Sequence, residues 1–275
     1  MGAGAAVGAG ALGGPSLRVF DAHLHVVDPR FPLVPNRGYV PGPFTAADYR
    51  ACAAALGAAG VHVVGGAVVS GSFQAFDQAY LLDALQALGL AFVGVTQLPA
   101  DATADEIVVL DQAGVRAVRF NLRRGGSAGL ADLDALARRV HAVAGWHAEV
   151  YVDGRDLAEL EPVLARLPAV VVDHLGLTRA GLPALRRLVE RGVRVKATGF
   201  GRLDFAPGPV LRDLARADPG ALLFGTDLPS TRAPRPFRAE DVAVVVDALA
   251  PLGAEVTARA LAENAAALYR PRAVA

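Results

Sequence analysis

The sequence predicts an α/β fold, a distorted (β/α)₈ barrel formed as a single domain. Two observations indicate it: eight short apolar runs alternate with helical patterns, and several of those helical patterns end at a glycine just before the next run. Such alternation is typical of parallel strands joined by right-handed crossovers. The 275 residues suit eight units closed into a barrel. No G-x-G-x-x-G turn follows the first strand, which disfavours an open dinucleotide-binding sheet.

Several of the predicted strands are apolar on both faces, as strands buried beneath helices are. In chain order the eight strands cover Val19–His25, Val61–Val69, Leu90–Gln97, Val115–Leu122, Trp146–Val152, Pro168–His174, Val193–Thr198 and Ala221–Asp227. Helices are predicted between them, including one over Gln74–Leu88, and two more close the chain. A proline-rich loop, Asp28–Pro43, follows the first strand, and a loop of this length often forms a lid or mouth.

Composition excludes several classes of function. Lys+Arg and Asp+Glu both number 27, so no nucleic acid partner is indicated. No apolar run approaches the ~18 residues of a membrane-spanning helix, so no membrane partner is expected either. The single cysteine, Cys52, excludes an internal disulfide and indicates a reduced, cytoplasmic setting. We predict that residues 1–16, rich in Gly and Ala, form a flexible tail, and that residues 17–275 form the barrel.

Polar side chains stand at the carboxyl ends of the predicted strands, where barrels of this type place catalytic groups. The first strand ends in His23-Leu-His25, the sixth ends at His174 and the eighth ends at Asp227. Three imidazoles and a carboxylate can activate a water molecule and polarise a carbonyl group, so we predict that these four residues are catalytic. Asp21 shares the strand face of the first two histidines. It would either orient an imidazole or accept hydrogen bonds from backbone amides at the barrel floor.

A second group of polar residues is predicted to bind substrate. Arg119 lies on the polar face of the fourth strand, and a buried guanidinium needs an anionic partner, either a protein carboxylate or the substrate. Arg202 and Arg232 follow the seventh and eighth strands, and Tyr151 and Ser70 end the fifth and second. Because guanidinium groups match carboxylates in a bidentate way, we expect a small anionic organic substrate that carries a carboxylate.

Several motifs coincide with these strand ends. They are H-x-H in the first strand, D-H-L-G at Asp173–Gly176, V-K-A-T-G-F-G-R at Val195–Arg202, F-G-T-D-L-P-S at Phe224–Ser230 and a last helical segment at Glu263–Tyr269. Together they resemble the amidohydrolase superfamily and, within it, the amidohydrolase-2 branch that contains 2-pyrone-4,6-dicarboxylate lactonase and related sugar lactonases. The resemblance covers nearly the whole chain after the tail. It implies a distorted barrel and a hydrolase with the four predicted catalytic residues at its centre.

The sequence departs from part of that superfamily at two strand ends. Members with bridged metal ions place Lys or Glu at the end of the fourth strand and His at the end of the fifth. Here those ends carry Arg119, Asn121 and Tyr151, which argues against a binuclear site. One divalent ion, Zn²⁺ or Mn²⁺, could still be held by the three histidines and the aspartate of the predicted catalytic set. A metal-free site is the alternative, since lactonases of the dicarboxylate type are regarded as not needing a metal.

Three functions are consistent with these features. The leading hypothesis is a hydrolase that opens a lactone or ester of a small carboxylate-bearing substrate, with water activated by Asp227. A metal-dependent non-oxidative decarboxylase of the same superfamily is the second, and a non-catalytic binding barrel is the third. Retention of all four central residues argues against the third. Lys196 is a weaker candidate for substrate contact, and the sequence leaves the substrate, the metal and the oligomeric state open.

Overall fold

A computed structural model describes residues 16–273, which form a nearly closed barrel of eight parallel strands. The strands neighbour one another in chain order from first to last, as consecutive βα units do. They are β1 Leu17–Leu24, β2 Val61–Val69, β3 Phe92–Thr96, β4 Val115–Asn121, β5 His147–Tyr151, β6 Val170–Val172, β7 Arg194–Ala197 and β8 Leu222–Phe224. The predicted fold class is confirmed. The predicted tail lies outside the described residues except for Ser16.

Helices cover the outside of the barrel. They are α1 Ala46–Ala58, α2 Ala79–Leu88, α3 Ala104–Ala113, α4 Leu133–Ala144, α5 Leu157–Leu164, α6 Leu182–Val189, α7 Pro207–Ala217, α8 Glu240–Leu249, α9 Ala254–Ala258 and α10 Asn264–Tyr269. A π-helical segment, Arg259–Glu263, joins the last two. In the described part of the chain, no helix combines the length and the apolar character that crossing a membrane requires.

One helix begins later than predicted. The helix expected from Gln74 begins at Ala79 instead. The Gln74 side chain explains the delay: its Oε1 accepts a hydrogen bond from the Gly71 backbone (2.7 Å) and its Nε2 donates one to the Val26 carbonyl (2.7 Å). A side chain that satisfies backbone groups in this way stabilises a loop at the expense of a helix. The loop lies beside the first strand's carboxyl end.

The C-terminal helix closes the floor of the barrel. Tyr269 of α10 is fully buried and stacks on Phe20 of β1, with ring centroids 5.8 Å apart. Around this pair lies an apolar cluster made by small and branched side chains from several strands. Because this end is filled by apolar packing, polar side chains that point inward gather toward the opposite, carboxyl end of the strands.

The first and last strands meet at that carboxyl end. The Asp227 backbone amide donates to the His23 carbonyl (2.7 Å), and the His25 amide donates to the Leu228 carbonyl (2.8 Å). Gly225 allows the two strands to approach, since a Cβ at that position would lie 2.7 Å from the backbone nitrogen of His23. Closure of the barrel therefore brings the H-x-H pair and Asp227 together, although they are distant along the chain.

Candidate active site

Three of the predicted catalytic side chains converge at the barrel closure. The Asp227 Oδ1 atom lies 3.6 Å from His25 Nε2 and 3.9 Å from His23 Nε2. All three residues are buried, and Asp227 Oδ1 and His23 Nε2 have no hydrogen-bond partner among the described residues. Buried polar atoms are normally satisfied, so unsatisfied atoms that face one another indicate a place for a ligand.

The tautomer of His25 follows from its second nitrogen. Nδ1 lies 2.7 Å from the Val69 carbonyl oxygen, which can only accept, so Nδ1 carries the hydrogen. In the neutral ring Nε2 then carries a lone pair and can only accept a hydrogen bond. It faces the Asp227 carboxylate, which is also an acceptor. Two acceptors 3.6 Å apart need a donor or a cation near both. A water molecule or a metal ion would satisfy them.

His174 completes the predicted catalytic set from the other side of the barrel mouth. Its ring centroid lies 4.7 Å from that of His23, and its Nδ1 lies 2.6 Å from Thr198 Oγ1. Burial lowers the pKa of His174 to about 4, so the ring is neutral near pH 7. The residue adopts a left-handed backbone conformation (φ 51°). For a residue other than glycine this conformation is strained, and such strain often occurs at functional sites.

Arg202 fixes the orientation of the Asp227 carboxylate. Its Nε donates to Asp227 Oδ2 (2.8 Å), and its Nη2 lies 2.8 Å from the same oxygen. Burial acts to raise the pKa of Asp227, but the charge of Arg202 and the interactions with His174, His25 and His23 together outweigh burial, and the pKa is held well below its usual value. Asp227 is therefore ionised near neutral pH. Its backbone, like that of His174, is left-handed (φ 60°).

The site can hold one metal ion by donor type and spacing. One ligand atom each from His23, His25 and Asp227 lie within 4.8 Å of one another, and imidazole and carboxylate suit Zn²⁺ or Mn²⁺. His23, Asp173 and His174 form a second such group. A cation already occupies that side, because the Lys196 ammonium lies 3.1 Å from His23 Nδ1 and 3.6 Å from Asp173 Oδ1. The geometry thus fits one ion and not two.

A cleft opens above these residues. It encloses about 360 Å³ between its walls, including its open mouth. Its lining comprises His25, Gly71, Ser72, Phe73, Arg119, Asn121, Arg124, Tyr151, His174, Arg202, Asp227, Thr231 and Arg232. Of the predicted substrate contacts, Arg119, Arg202, Arg232 and Tyr151 line the cleft. Four arginines line it: Arg119, Arg124, Arg202 and Arg232.

Two of the four arginines are neutralised by protein carboxylates. Arg119 donates through Nη2 to Asp173 (2.9 Å), so the anionic partner that the sequence demanded is an aspartate. Arg202 pairs with Asp227. Arg232 bonds Asn36 and lies over the Tyr39 ring (4.2 Å).

Arg124 lines the cleft as well, although it is not among the predicted substrate contacts. Within residues 16–273, neither Arg124 nor Arg232 forms an ion pair with a carboxylate. Their charges remain available to a ligand.

Ser70 and Asp21 have structural partners. The Ser70 hydroxyl lies 2.6 Å from the Tyr80 hydroxyl, and its carbonyl accepts from Arg119 (2.7 Å); the serine that lines the cleft is Ser72. Asp21 accepts from the backbone amide of Thr226 (2.8 Å) and from the Tyr49 hydroxyl. It therefore fastens β1 to the loop after β8, and among the described residues none of its hydrogen bonds is to an imidazole.

A network of charged residues lies below the cleft, and the sequence analysis gave it little weight. Lys196 of β7 is fully buried and pairs with Glu149 of β5 (2.5 Å). Glu149 also accepts from the Tyr269 hydroxyl and lies 3.2 Å from His147 Nε2. Both Lys196 and Glu149 are charged residues flanked by apolar ones within a buried strand. That pattern is the sequence signal that could have indicated the network.

Comparison with known proteins agrees with this geometry. The chain is 35% identical over 161 residues to a Comamonas testosteroni protein named 2-pyrone-4,6-dicarboxylate hydrolase, covering 57% of this chain and 51% of the relative. It is 29% identical over 185 residues to an Agrobacterium fabrum D-galactarolactone isomerase, covering 62% of this chain and 60% of the relative. The matches thus span about half to three fifths of the length of these curated relatives.

Solved structures and family models extend the comparison to almost the whole chain. An apo crystal structure of an Agrobacterium tumefaciens protein superposes with a TM-score of 0.80 at 24% identity, covering 96% of this chain and 100% of that one. At this identity the likeness shows a shared fold. The family model described as amidohydrolase, of the amidohydrolase-2 type, matches residues 20–270. The chain belongs to the amidohydrolase-2 family.

Proposed function

We propose that the protein hydrolyses a lactone or ester of a small carboxylate-bearing molecule. One observation carries the proposal: two buried acceptors, His25 Nε2 and Asp227 Oδ1, lie 3.6 Å apart below a cleft lined by arginines. The names of both curated relatives refer to a lactone ring that bears a carboxylate. Because the alignments cover only part of those relatives, their activity supports the proposal without establishing it.

The two acceptors can hold the water molecule that acts as the nucleophile. A water molecule that donates one hydrogen to His25 Nε2 and the other to Asp227 Oδ1 would be fixed in place, with its lone pairs directed away from both. As the water oxygen attacks the carbonyl carbon, Asp227 takes one of its protons. A carboxyl group with a strongly lowered pKa is ionised and ready to accept, and once protonated it is a strong acid that gives its proton up readily.

The leaving group receives that proton. Collapse of the tetrahedral intermediate breaks the bond between the carbonyl carbon and the ring oxygen, and Asp227 protonates the released alkoxide. The product is a hydroxy acid, and the carboxylate of Asp227 is restored. No other proton source is needed, so a single residue serves as base and then as acid.

The carbonyl oxygen needs a hydrogen-bond donor as negative charge develops on it. His174 supplies one when the Thr198 hydroxyl donates to its Nδ1 (2.6 Å), because the neutral ring then carries its hydrogen on Nε2. A divalent ion held by His23, His25 and Asp227 would supply Lewis-acid polarisation of the carbonyl and a more acidic water. The roles of His174 and Thr198 are the same in either case.

The unpaired arginines define the substrate class. Arg124 and Arg232 face the cleft without a carboxylate of the protein, so a substrate carboxylate is their natural partner. Arg119 and Arg202 add positive potential from the cleft wall while bound to Asp173 and Asp227. Tyr151 also lines the cleft, its hydroxyl accepts a hydrogen bond from Arg123 Nη1 (3.3 Å), and it would orient that carboxylate.

A lactone panel tests the proposal. Purified protein is assayed by pH-stat against lactones with two, one or no carboxylates, including 2-pyrone-4,6-dicarboxylate and aldaric acid lactones. Turnover of carboxylate-bearing lactones, and its loss in the methyl esters of the same compounds, is expected. Release of CO₂ from a hydroxyaromatic acid in place of lactone opening would instead identify a decarboxylase, and no turnover of any lactone would refute the assignment.

A further inference from the structure

Lys196 lies at the centre of the barrel, directly beneath the cleft, and the mechanism above does not use it. Its side chain is fully buried, with Nζ 2.5 Å from Glu149 Oε2, 3.1 Å from His23 Nδ1 and 3.6 Å from Asp173 Oδ1. Burying an ammonium group costs several kcal/mol unless it is paired and hydrogen-bonded. Its pairing with Glu149 offsets that cost, but the additional contact with His23 requires its own explanation.

The contact determines where the hydrogen of His23 lies. An ammonium group can only donate, so Nδ1 of His23 must accept, and a neutral imidazole that accepts at Nδ1 carries its hydrogen at Nε2. Nε2 is buried, has no hydrogen-bond partner among the described residues, and lies 3.9 Å from Oδ1 of Asp227, a residue that lines the cleft. We propose that Lys196 is a positioning residue that holds His23 in the Nε2–H tautomer, so that His23 donates a hydrogen bond to the substrate carbonyl oxygen. The second half of this proposal rests on the proposed hydrolase function.

The opposite tautomer is disfavoured by the same surroundings. A hydrogen on His23 Nδ1 could donate to Asp173 Oδ1, 3.4 Å away. It would then lie beside the Lys196 ammonium, a like-charged neighbour only 3.1 Å from the ring nitrogen. Asp173 has two cationic neighbours besides His23: Arg119 donates to its Oδ2 (2.9 Å), and the Lys196 ammonium lies 3.6 Å from its Oδ1, which has no hydrogen-bond partner among the described residues.

Lys196 is held so that it cannot turn away from His23. Glu149 fixes the ammonium from the β5 side, and its other oxygen is engaged by the Tyr269 hydroxyl and by His147 Nε2 (3.2 Å). The Tyr269 hydroxyl belongs to the helix that closes the barrel floor. The hydrogen-bond chain therefore runs from the barrel floor through Glu149 and Lys196 to the ring of His23.

The tautomer also decides what the site binds. With a hydrogen on His23 Nε2, the three converging atoms are one donor and two acceptors, which suits a substrate carbonyl beside a water molecule. With the hydrogen on Nδ1 they would be three acceptors, which suits a metal ion. The ammonium adds a repulsive charge close to any cation at this position. Lys196 thus favours hydrolysis with water held by the protein alone.

Nitrogen NMR of the histidine rings tests the proposal directly. Protein labelled with ¹⁵N-histidine has only six such residues, and a His23→Gln variant assigns the His23 signals. A pyrrole-type Nε2 and a pyridine-type Nδ1 are expected in the unaltered protein. A pyrrole-type Nδ1 would overturn the proposal, and this readout needs no known substrate.

A double variant then separates positioning from structure. Lys196→Met with Glu149→Gln removes both charges and leaves no buried charge unpaired between them. The His23 signals are expected to shift toward the other tautomer, Zn²⁺ binding measured by calorimetry is expected to tighten at least tenfold, and kcat is expected to fall roughly 10²-fold to 10³-fold with little change in KM. Arg235→Met with Asp241→Asn is the matched control, because it removes both charges of an ion pair outside the cleft (2.8 Å). The control should change stability and leave the His23 tautomer and kcat unchanged.

The two levels of the proposal fail separately. If no lactone is turned over but His23 carries its hydrogen on Nε2, the hydrolase assignment fails and the role of Lys196 in setting the tautomer stands. If lactones are opened and the double variant keeps full kcat with an unchanged His23 spectrum, the hydrolase assignment stands and Lys196 is only structural.

Discussion

Arg202 holds one oxygen of the Asp227 carboxylate through a 2.8 Å hydrogen bond and leaves the other turned toward His25, 3.6 Å from its Nε2. The two oxygens of one carboxylate thus have different surroundings. Oδ2 is paired with Arg202, while Oδ1 has no hydrogen-bond partner among the described residues. Arg202 also lowers the pKa of Asp227, so that the free oxygen is ionised across the neutral range.

Replacement of Asp227 by Asn should abolish most of the activity. An amide keeps the shape but cannot accept the proton, so kcat is expected to fall by about 10² to 10⁴, with a smaller effect on KM. Steady-state kinetics on a lactone that the protein opens would measure this, with circular dichroism to confirm folding. Asp241→Asn is the matched control, since it breaks a comparable pair with Arg235 (2.8 Å) outside the cleft. Equal losses in both variants would show that the effect is structural.

The sequence predicted the barrel and its four central residues because both depend on local signals. A helical pattern that ends at a glycine and is followed by an apolar run marks a βα unit. The carboxyl end of each strand is then simply the end of its apolar run. Closure of the barrel then brings His23, His25, His174 and Asp227 together.

The partners of those residues could not be predicted in the same way. Lys196 meets His23 across 173 positions of sequence, and Arg119 meets Asp173 across 54. Such pairings depend on how far each strand is staggered and on which way each side chain turns inside the barrel. For the same reason the sequence could not show that the Ser70 hydroxyl turns to Tyr80 of α2 while Ser72 lines the cleft.

Removal of an unpaired cleft arginine should weaken substrate binding without unfolding the protein. In Arg124→Met the lost partner is the substrate carboxylate, so KM is expected to rise by roughly tenfold or more, corresponding to a charged hydrogen bond of about 1.5–3 kcal/mol. Arg138→Met, which breaks an exposed pair with Asp134 (3.1 Å), should leave KM unchanged. An unaltered KM in the Arg124 variant would remove this residue from the substrate site.

Arg119→Met should behave differently, because its partner is part of the protein. The change leaves Asp173 buried with one cation fewer, and breaking a buried pair costs about 3–5 kcal/mol. The free energy of unfolding in urea is expected to fall by that order, whatever happens to KM. A variant of unaltered stability with a raised KM would instead make Arg119 a direct substrate ligand, as the sequence first suggested.

His174 should make stability fall between pH 6.5 and about 4. Burial lowers its pKa in the folded protein to about 4, against 6.5 in the unfolded chain. Within this window the unfolded chain binds a proton that the folded protein does not, so stability decreases as the pH falls and the slope ends below the folded pKa. Over the whole window, the free energy of unfolding falls by at most roughly 3 kcal/mol on account of this residue. Urea unfolding at pH 4.5 and 7.5 should show a smaller difference in His174→Gln, and an equal difference would mean that the ring is already charged at pH 4.5.

Chelation tests whether the hydrolysis needs a metal ion. If His23 carries its hydrogen on Nε2, the site presents only two lone pairs to an ion, and the protein should open lactones after exhaustive dialysis against EDTA. Elemental analysis of the dialysed sample confirms that Zn and Mn are absent, and the same protein with one equivalent of Zn²⁺ added serves as the comparison. Added Zn²⁺ is expected to leave the rate unchanged or to lower it by displacing the nucleophilic water. Loss of activity on dialysis with recovery on adding Zn²⁺ or Mn²⁺ would show that the ion fits His23, His25 and Asp227 better than water does.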